Sequence, residues 1–226
     1  MSMEIRLEKS GDSRSISLDK ATSHNDEIVI NLNWNREARD GGQAIDLDLG
    51  CYWEARPVPH ENGFVRWIQS LVNAPSQRGC IDGLQFAHGN GGRRDVVSRQ
   101  GCYTQLPWVW HAGDDRVGSS AQGENLLLNP GAATHLQRLV IYAFIYEGAP
   151  AWSSTDAVVR IAVPSQAPLV LELGKQASTQ NFCVLATLDF DGASGINVTR
   201  HVSFHGGHAD ASFHYNWRMN FAAGSK

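Results

Sequence analysis

Three carboxylates flank a loop of small residues in His111–Pro130, "HAGDDRVGSSAQGENLLLNP": Asp114, Asp115 and Glu124. Gly113, Gly118 and Gly123 can turn backbone carbonyls inward. Asn125 adds an amide oxygen beside Glu124. Hard cations are held by carboxylates mixed with amide and backbone carbonyls in loops able to wrap them. The same residues are also compatible with solvated loop charges, helix caps or catalytic acids. The spacing is not that of an EF-hand: with Asp114 as position one, position three is Arg116 and Glu124 falls at eleven.

Asp46 and Asp48 form a second acidic pair, in "DLDLGCYWE". On a strand they share one face, roughly 7 Å apart. Like charges that close repel, and a bound cation would turn the repulsion into attraction. A solvated edge is the plainer alternative for this pair alone. "LDFDG" (Leu188–Gly192) repeats the spacing, but Asp191-Gly192 reads better as a hairpin turn. His201, His205, His208 and His214 gather late in the chain, with no His-Glu-x-x-His pattern and no sequence signature of a Ser/His/Asp site. Ordinary hydrogen bonding at a sheet edge is the expected role of these histidines.

The elements that must position these groups are strands. Alternating stretches run over Arg14–Leu18, Glu27–Trp34, Asp46–Glu54, Phe64–Gln69, Thr104–His111 and Arg138–Gly148, then Ala157–Pro164, Leu169–Leu173, Asn181–Phe190 and Ile196–His205. Two short helices are expected, one over Pro130–Gln137 and one in "HADASFHYNW" near the C-terminus. Many short strands without crossover helices predict an all-β fold, a two-sheet antiparallel β-sandwich with one or two short helices, as a single domain over 1–226. "GNGGRRDVVSRQG" (Gly89–Gly101) reads as a polar, mobile loop.

The chain has 226 residues and a formal net charge of −4, with no Lys/Arg-rich run. Nucleic acid is therefore not an expected partner. The charged start "MSMEIRLEKSGDSRS" has no apolar core of a signal peptide, and no apolar stretch approaches the ~20 residues of a membrane span, so a cytoplasmic location is expected. Cys51, Cys80, Cys102 and Cys183 lie far apart and read as buried small hydrophobes.

"GDDRVGSSAQGEN" together with "WNREARDGGQAIDLDLGCYW" resembles the tellurium-resistance TerD/TerA family of stress proteins, with the opening "KSGDSRSISL" and the later "AFIYEGAPAWSSTDAVVRI" in matching order. The likeness covers roughly residues 8 to 218 and lies closer to the TerA-like side. It implies a β-sandwich that binds Ca2+ through Asp46, Asp48, Asp114, Asp115, Glu124 and Asn125. It also implies a non-enzymatic role in stress response, with other stress-resistance proteins or membrane-peripheral complexes as partners. Where the family carries a strongly acidic tail after the Gly-Asp loop, this chain has "GSSAQGEN", so a single or weak calcium site is expected. The alternative is a metal-dependent hydrolase using the same acidic loops or the C-terminal histidines.

Overall fold

The computed structural model describes residues 4–18, 26–35, 44–57, 76–83, 92–113, 123–219 and 221. Its strands form two sheets. The seven-stranded sheet has the order β1 (Ile5–Arg6), β11 (Leu169–Glu172), β10 (Val158–Ala162), β3 (Ile28–Asn33), β8 (Glu124–Leu128), β7 (Val109–His111), β6 (Gly101–Cys102). The six-stranded sheet has the order β2 (Ser13–Ser17), β13 (Gly195–His205), β12 (Phe182–Phe190), β9 (Leu136–Glu147), β4 (Asp46–Ala55), β5 (Arg78–Asp82). Every pairing is antiparallel except β1 with β11. The expected all-β sandwich is the observed one.

The period-two pattern of the sequence explains how the layers close. Ile28, Ile30 and Leu32 of β3, Leu126 and Leu128 of β8, and Leu47, Leu49 and Cys51 of β4 are fully buried in one core between the sheets. Alternation sends the intervening residues the other way. On the outer face of the six-stranded sheet, Tyr52, Val140, Tyr142, Phe144, Phe182 and Val184 form a second apolar cluster. It is roofed by Ala211 of helix α2 (His208–His214) and by Trp217. The other expected helix is α1, a single turn over Ala132–His135.

The Asp191-Gly192 turn joins β12 to β13: Asp191 Oδ1 accepts the Ala193 and Gly195 N–H groups at 2.7 and 3.0 Å, and Gly192 has φ +90°. The strand expected over Thr104–His111 is shorter, β7 alone, because residues 104–107 are taken by bends and turns. The strand expected over Phe64–Gln69 lies outside the described residues. Of the polar insert at 89–101, turns lie at 94–95 and 99–100 and Ser98 bridges Gly101, with the Gly92 N–H donating to Gln100 Oε1 at 2.7 Å. No helix among the described residues is long and apolar enough to cross a membrane.

Candidate metal centre

The β4 strand sets the acidic pair. Since Leu47, Leu49 and Cys51 face the inter-sheet core, Asp46 and Asp48 face outward on the six-stranded sheet with Gly50 and Tyr52. Asp48 pairs with Phe144 of β9 and is fully buried, while Asp46 is 9% exposed. The shared face expected from their spacing is present, and both carboxylates are withdrawn from water rather than on a solvated edge.

Glu124 opens β8 on the other sheet and alternates with Leu126 and Leu128, so it points into the sandwich. Its Oε2 accepts the Leu49 N–H at 2.7 Å. His111 of β7 meets the same residue: His111 Nε2 lies 3.0 Å from Leu49 O. The Gly113 N–H donates to His111 Nδ1 at 3.2 Å, which leaves the imidazole proton on Nε2 to be donated to Leu49 O. Leu49 sits one residue beyond Gly50↔Asp82, the last β4–β5 pair. Two side chains of the facing sheet thus take the backbone groups that β5 does not reach.

The stems of segment 114–122 are pinned at this place. Ala112 N–H donates to Asn125 O at 2.9 Å, extending the β7–β8 ladder to the loop's entry. Gly123 closes its exit at φ +65°, where an added Cβ would stand 2.0 Å from Leu32 O, so only glycine fits. Asp114 and Asp115 themselves lie outside the described residues.

Of the expected ligand residues, the structure therefore brings Asp46, Asp48 and Glu124 to one stretch of β4, the first two from its outer face and the third from its inner face. Asn125 is placed elsewhere. It alternates with Glu124, faces away from the core, and its Oδ1 accepts from Asn31 Nδ2 at 2.9 Å. Among the described residues no group of three or more His, Cys, Asp or Glu side chains is gathered closely enough to hold a metal. Glu124 Oε1 is buried without a hydrogen-bond partner among those residues. A buried carboxylate oxygen of this kind is the donor type that hard cations prefer.

The histidines are spent on separate contacts. His201 Nε2 lies 3.1 Å from Thr187 Oγ1. His205 Nε2 is 3.0 Å from Ser203 Oγ, and its Nδ1 is 3.7 Å from Asp210 Oδ2. That oxygen also accepts the Gly206 N–H at 2.9 Å, and the Asp210 side chain is 59% exposed. Burial pushes the pKa values of His201 and His205 down.

Sequence reasoning did not find the network around Asp82. This fully buried carboxylate accepts from Tyr142 OH at 2.6 Å, is 2.9 Å from His208 Nε2, and accepts weakly from Cys80 Sγ at 3.4 Å. Burial alone would raise its pKa. The hydrogen bond and charge of His208, with the Tyr142 and Cys80 hydrogen bonds, bring it below the ordinary carboxylate value instead. The Cys80 thiol is pushed well up by burial and by the Asp82 charge, so it is no reactive thiolate. His208 and Asp82 are far apart in sequence, so no local pattern joined them.

No family model matches the chain. Over 220 residues it is 32% identical to the tellurium resistance protein TerA of Alcaligenes sp., covering 93% of this chain and 56% of that protein. The chain thus spans little more than half the length of this curated relative. Among solved structures it resembles SAV2460, a protein of unknown function, with a TM-score of 0.51 and 11% identity. It equally resembles SCO6318, a homologue of the telluride resistance protein TerD from Streptomyces coelicolor A3(2), with a TM-score of 0.51 and 12% identity. Each of these two matches covers 83% of this chain and 94% of the other. At such identities the likeness concerns the fold.

Proposed function

We propose, from its 32% identity to a tellurium resistance protein TerA, that the chain is a TerA-like member of the tellurium-resistance family and a calcium-binding protein of stress resistance that acts by binding rather than by catalysis. One observation carries the reading. Asp48, Glu124 and Asp46, at 0, 1 and 9% exposure, are all withdrawn from water, and Glu124, next to the Gly123 stem of the segment that holds Asp114 and Asp115, takes the Leu49 N–H one residue from Asp48.

Each buried carboxylate costs several kcal/mol of lost hydration unless a cation or donors replace the water. Glu124 Oε2 has such a donor in Leu49, and its Oε1 has none among the described residues. Calcium would supply positive charge at Glu124, with Asp46 and Asp48 of the adjoining stretch of β4 and Asp114 and Asp115 as the rest of the proposed ligand pool. Asn125 serves the β3–β8 pairing instead, through Asn31. With "SSAQ" in the loop the affinity falls at the weak, micromolar-to-millimolar end. Magnesium substitutes poorly, because it demands a tight octahedron. Action in the cytoplasm, through other stress-resistance proteins or membrane-peripheral complexes, completes the reading. Titration of metal-stripped protein with calcium tests it.

A hydrolase reading has one observation in its favour, the approach of Ser203 Oγ to His205 Nε2 with Asp210 behind. The long and solvent-exposed His205–Asp210 contact weighs against it, and so does the use of Asp210 to cap the Gly206 turn.

A further inference from the structure

Arg200 of β13 is a largely buried arginine whose side chain has no hydrogen-bond or ion-pair partner among the described residues. Its backbone is fixed: Arg200 N–H donates to Asp12 O, and Gly11 N–H to Arg200 O, both at 2.9 Å. The residue is only 6% exposed, and its buried Nε has no hydrogen-bond partner among the described residues. Asp12 is near enough to act on its charge, but Asp12 Oδ2 is already taken by the Glu8 and Lys9 N–H groups, at 2.8 and 2.7 Å. Arginine does not escape such a site by losing its proton.

Arg200 lines a cavity of about 310 Å³ at the β1–β11 edge of the sandwich. Leu7 and Val170 give this cavity an apolar wall, and Gln176 adds an amide. Arg6 and Lys175 stand at its mouth, both paired to the one carboxylate of Glu172. With Glu8, three cations face two carboxylates.

We propose that this cavity binds a small anion, its charged oxygens on Arg200 and its carbon body against Leu7 and Val170. The planar guanidinium matches carboxylate and phosphate oxygens two at a time. Pairing it would replace the hydration that folding removes from its buried part. The volume lies at the lower end of the roughly 300–1,000 Å³ of small-molecule sites. That fits a compact organic acid or a monophosphate. Glu8 and Glu172 disfavour a polyanion such as a nucleotide triphosphate. The cavity is independent of the calcium reading, since β1 lies four strands away from β8 in the sheet order.

The test follows the melting temperature of the full chain in metal-free buffer at constant ionic strength, against inorganic phosphate and phenyl phosphate. Both probes are expected to give a saturable rise. A tighter response to phenyl phosphate assigns an organic anion, and an equal response assigns a free oxyanion. Arg200→Met is expected to abolish both responses and to melt no lower than the unliganded wild type, because an unpaired buried charge is removed. Should that variant fail to fold, Lys175→Ala at the exposed rim is expected to weaken binding about twofold to fivefold. Absence of a saturable response to either probe in the wild type overturns the proposal. So does an undiminished response in Arg200→Met, or in Lys175→Ala where that variant takes its place.

Discussion

Glu124 Oε2 accepts the Leu49 N–H at 2.7 Å across the sandwich, so a carboxylate from one sheet completes the backbone hydrogen bonding of the other. The bond separates two duties of Glu124: an acceptor for Leu49, and a negative charge. Glu124→Ala removes both and leaves a buried N–H unsatisfied, which should cost about 1–3 kcal/mol of metal-free stability. Glu124→Gln keeps an acceptor and removes the charge. In metal-free protein it should be as stable as wild type or slightly more so. Urea denaturation with chelator present decides this, and equal losses in the two variants would contradict it.

Asp82 makes stability depend on acid. Its folded pKa is depressed below the ordinary carboxylate value, so its contribution is fully present above the unfolded pKa of about 3.9. The contribution is lost as pH falls through the lower folded value. Asp82→Asn should destabilise the protein by roughly 3 kcal/mol at neutral pH, because His208 and Tyr142 lose a charged partner. It should also flatten the acid limb of stability against pH. Denaturant midpoints from pH 7 to pH 3 check this, and an acid limb unchanged in the variant would refute it.

Cys51 and Cys183 are fully buried in the inter-sheet core, and burial raises both thiol pKa values. Replacing either by serine should destabilise the fold by roughly 1–3 kcal/mol through a buried hydroxyl, with calcium affinity unchanged. Labelling by a thiol reagent in the native state should be slow at both positions. Rapid modification of both would show that they are reachable and reopen a redox role.

The non-enzymatic reading is tested at Ser203. A fluorophosphonate probe should not modify the protein, and ester and phosphoester substrates should not be turned over. Stoichiometric modification that disappears in Ser203→Ala would instead establish a hydrolase at His205.

Much of the frame was legible in the sequence because alternation is a local property. The stretch Glu27–Trp34 contains β3 at Ile28–Asn33, Asp46–Glu54 is β4 short of one residue, and Asp191-Gly192 is the hairpin turn. The helix expected over Pro130–Gln137 shrinks to Ala132–His135 because Leu136 already pairs with Ala55 of β4. What was not legible depends on contacts between distant segments. Alternation puts Asp46 and Asp48 on one face, but which face is settled only by the partner strands. The same rule, applied to β8, separates Glu124 from Asn125. Asp82 with His208, and Arg200 with its cavity, arise where segments far apart in sequence meet, so no local pattern announced them.

Calorimetric titration of metal-stripped protein with calcium, repeated on Asp48→Asn and Glu124→Gln, bears most directly on the central claim. The account predicts saturable binding in the wild type with a dissociation constant between micromolar and millimolar. It also predicts a stability gain of about 2.7 kcal/mol when calcium is one hundred times that constant. Both variants should stay folded and lose the heat of binding. Wild-type protein that shows no heat and no melting shift at millimolar calcium, or variants that bind as the wild type does, would contradict it.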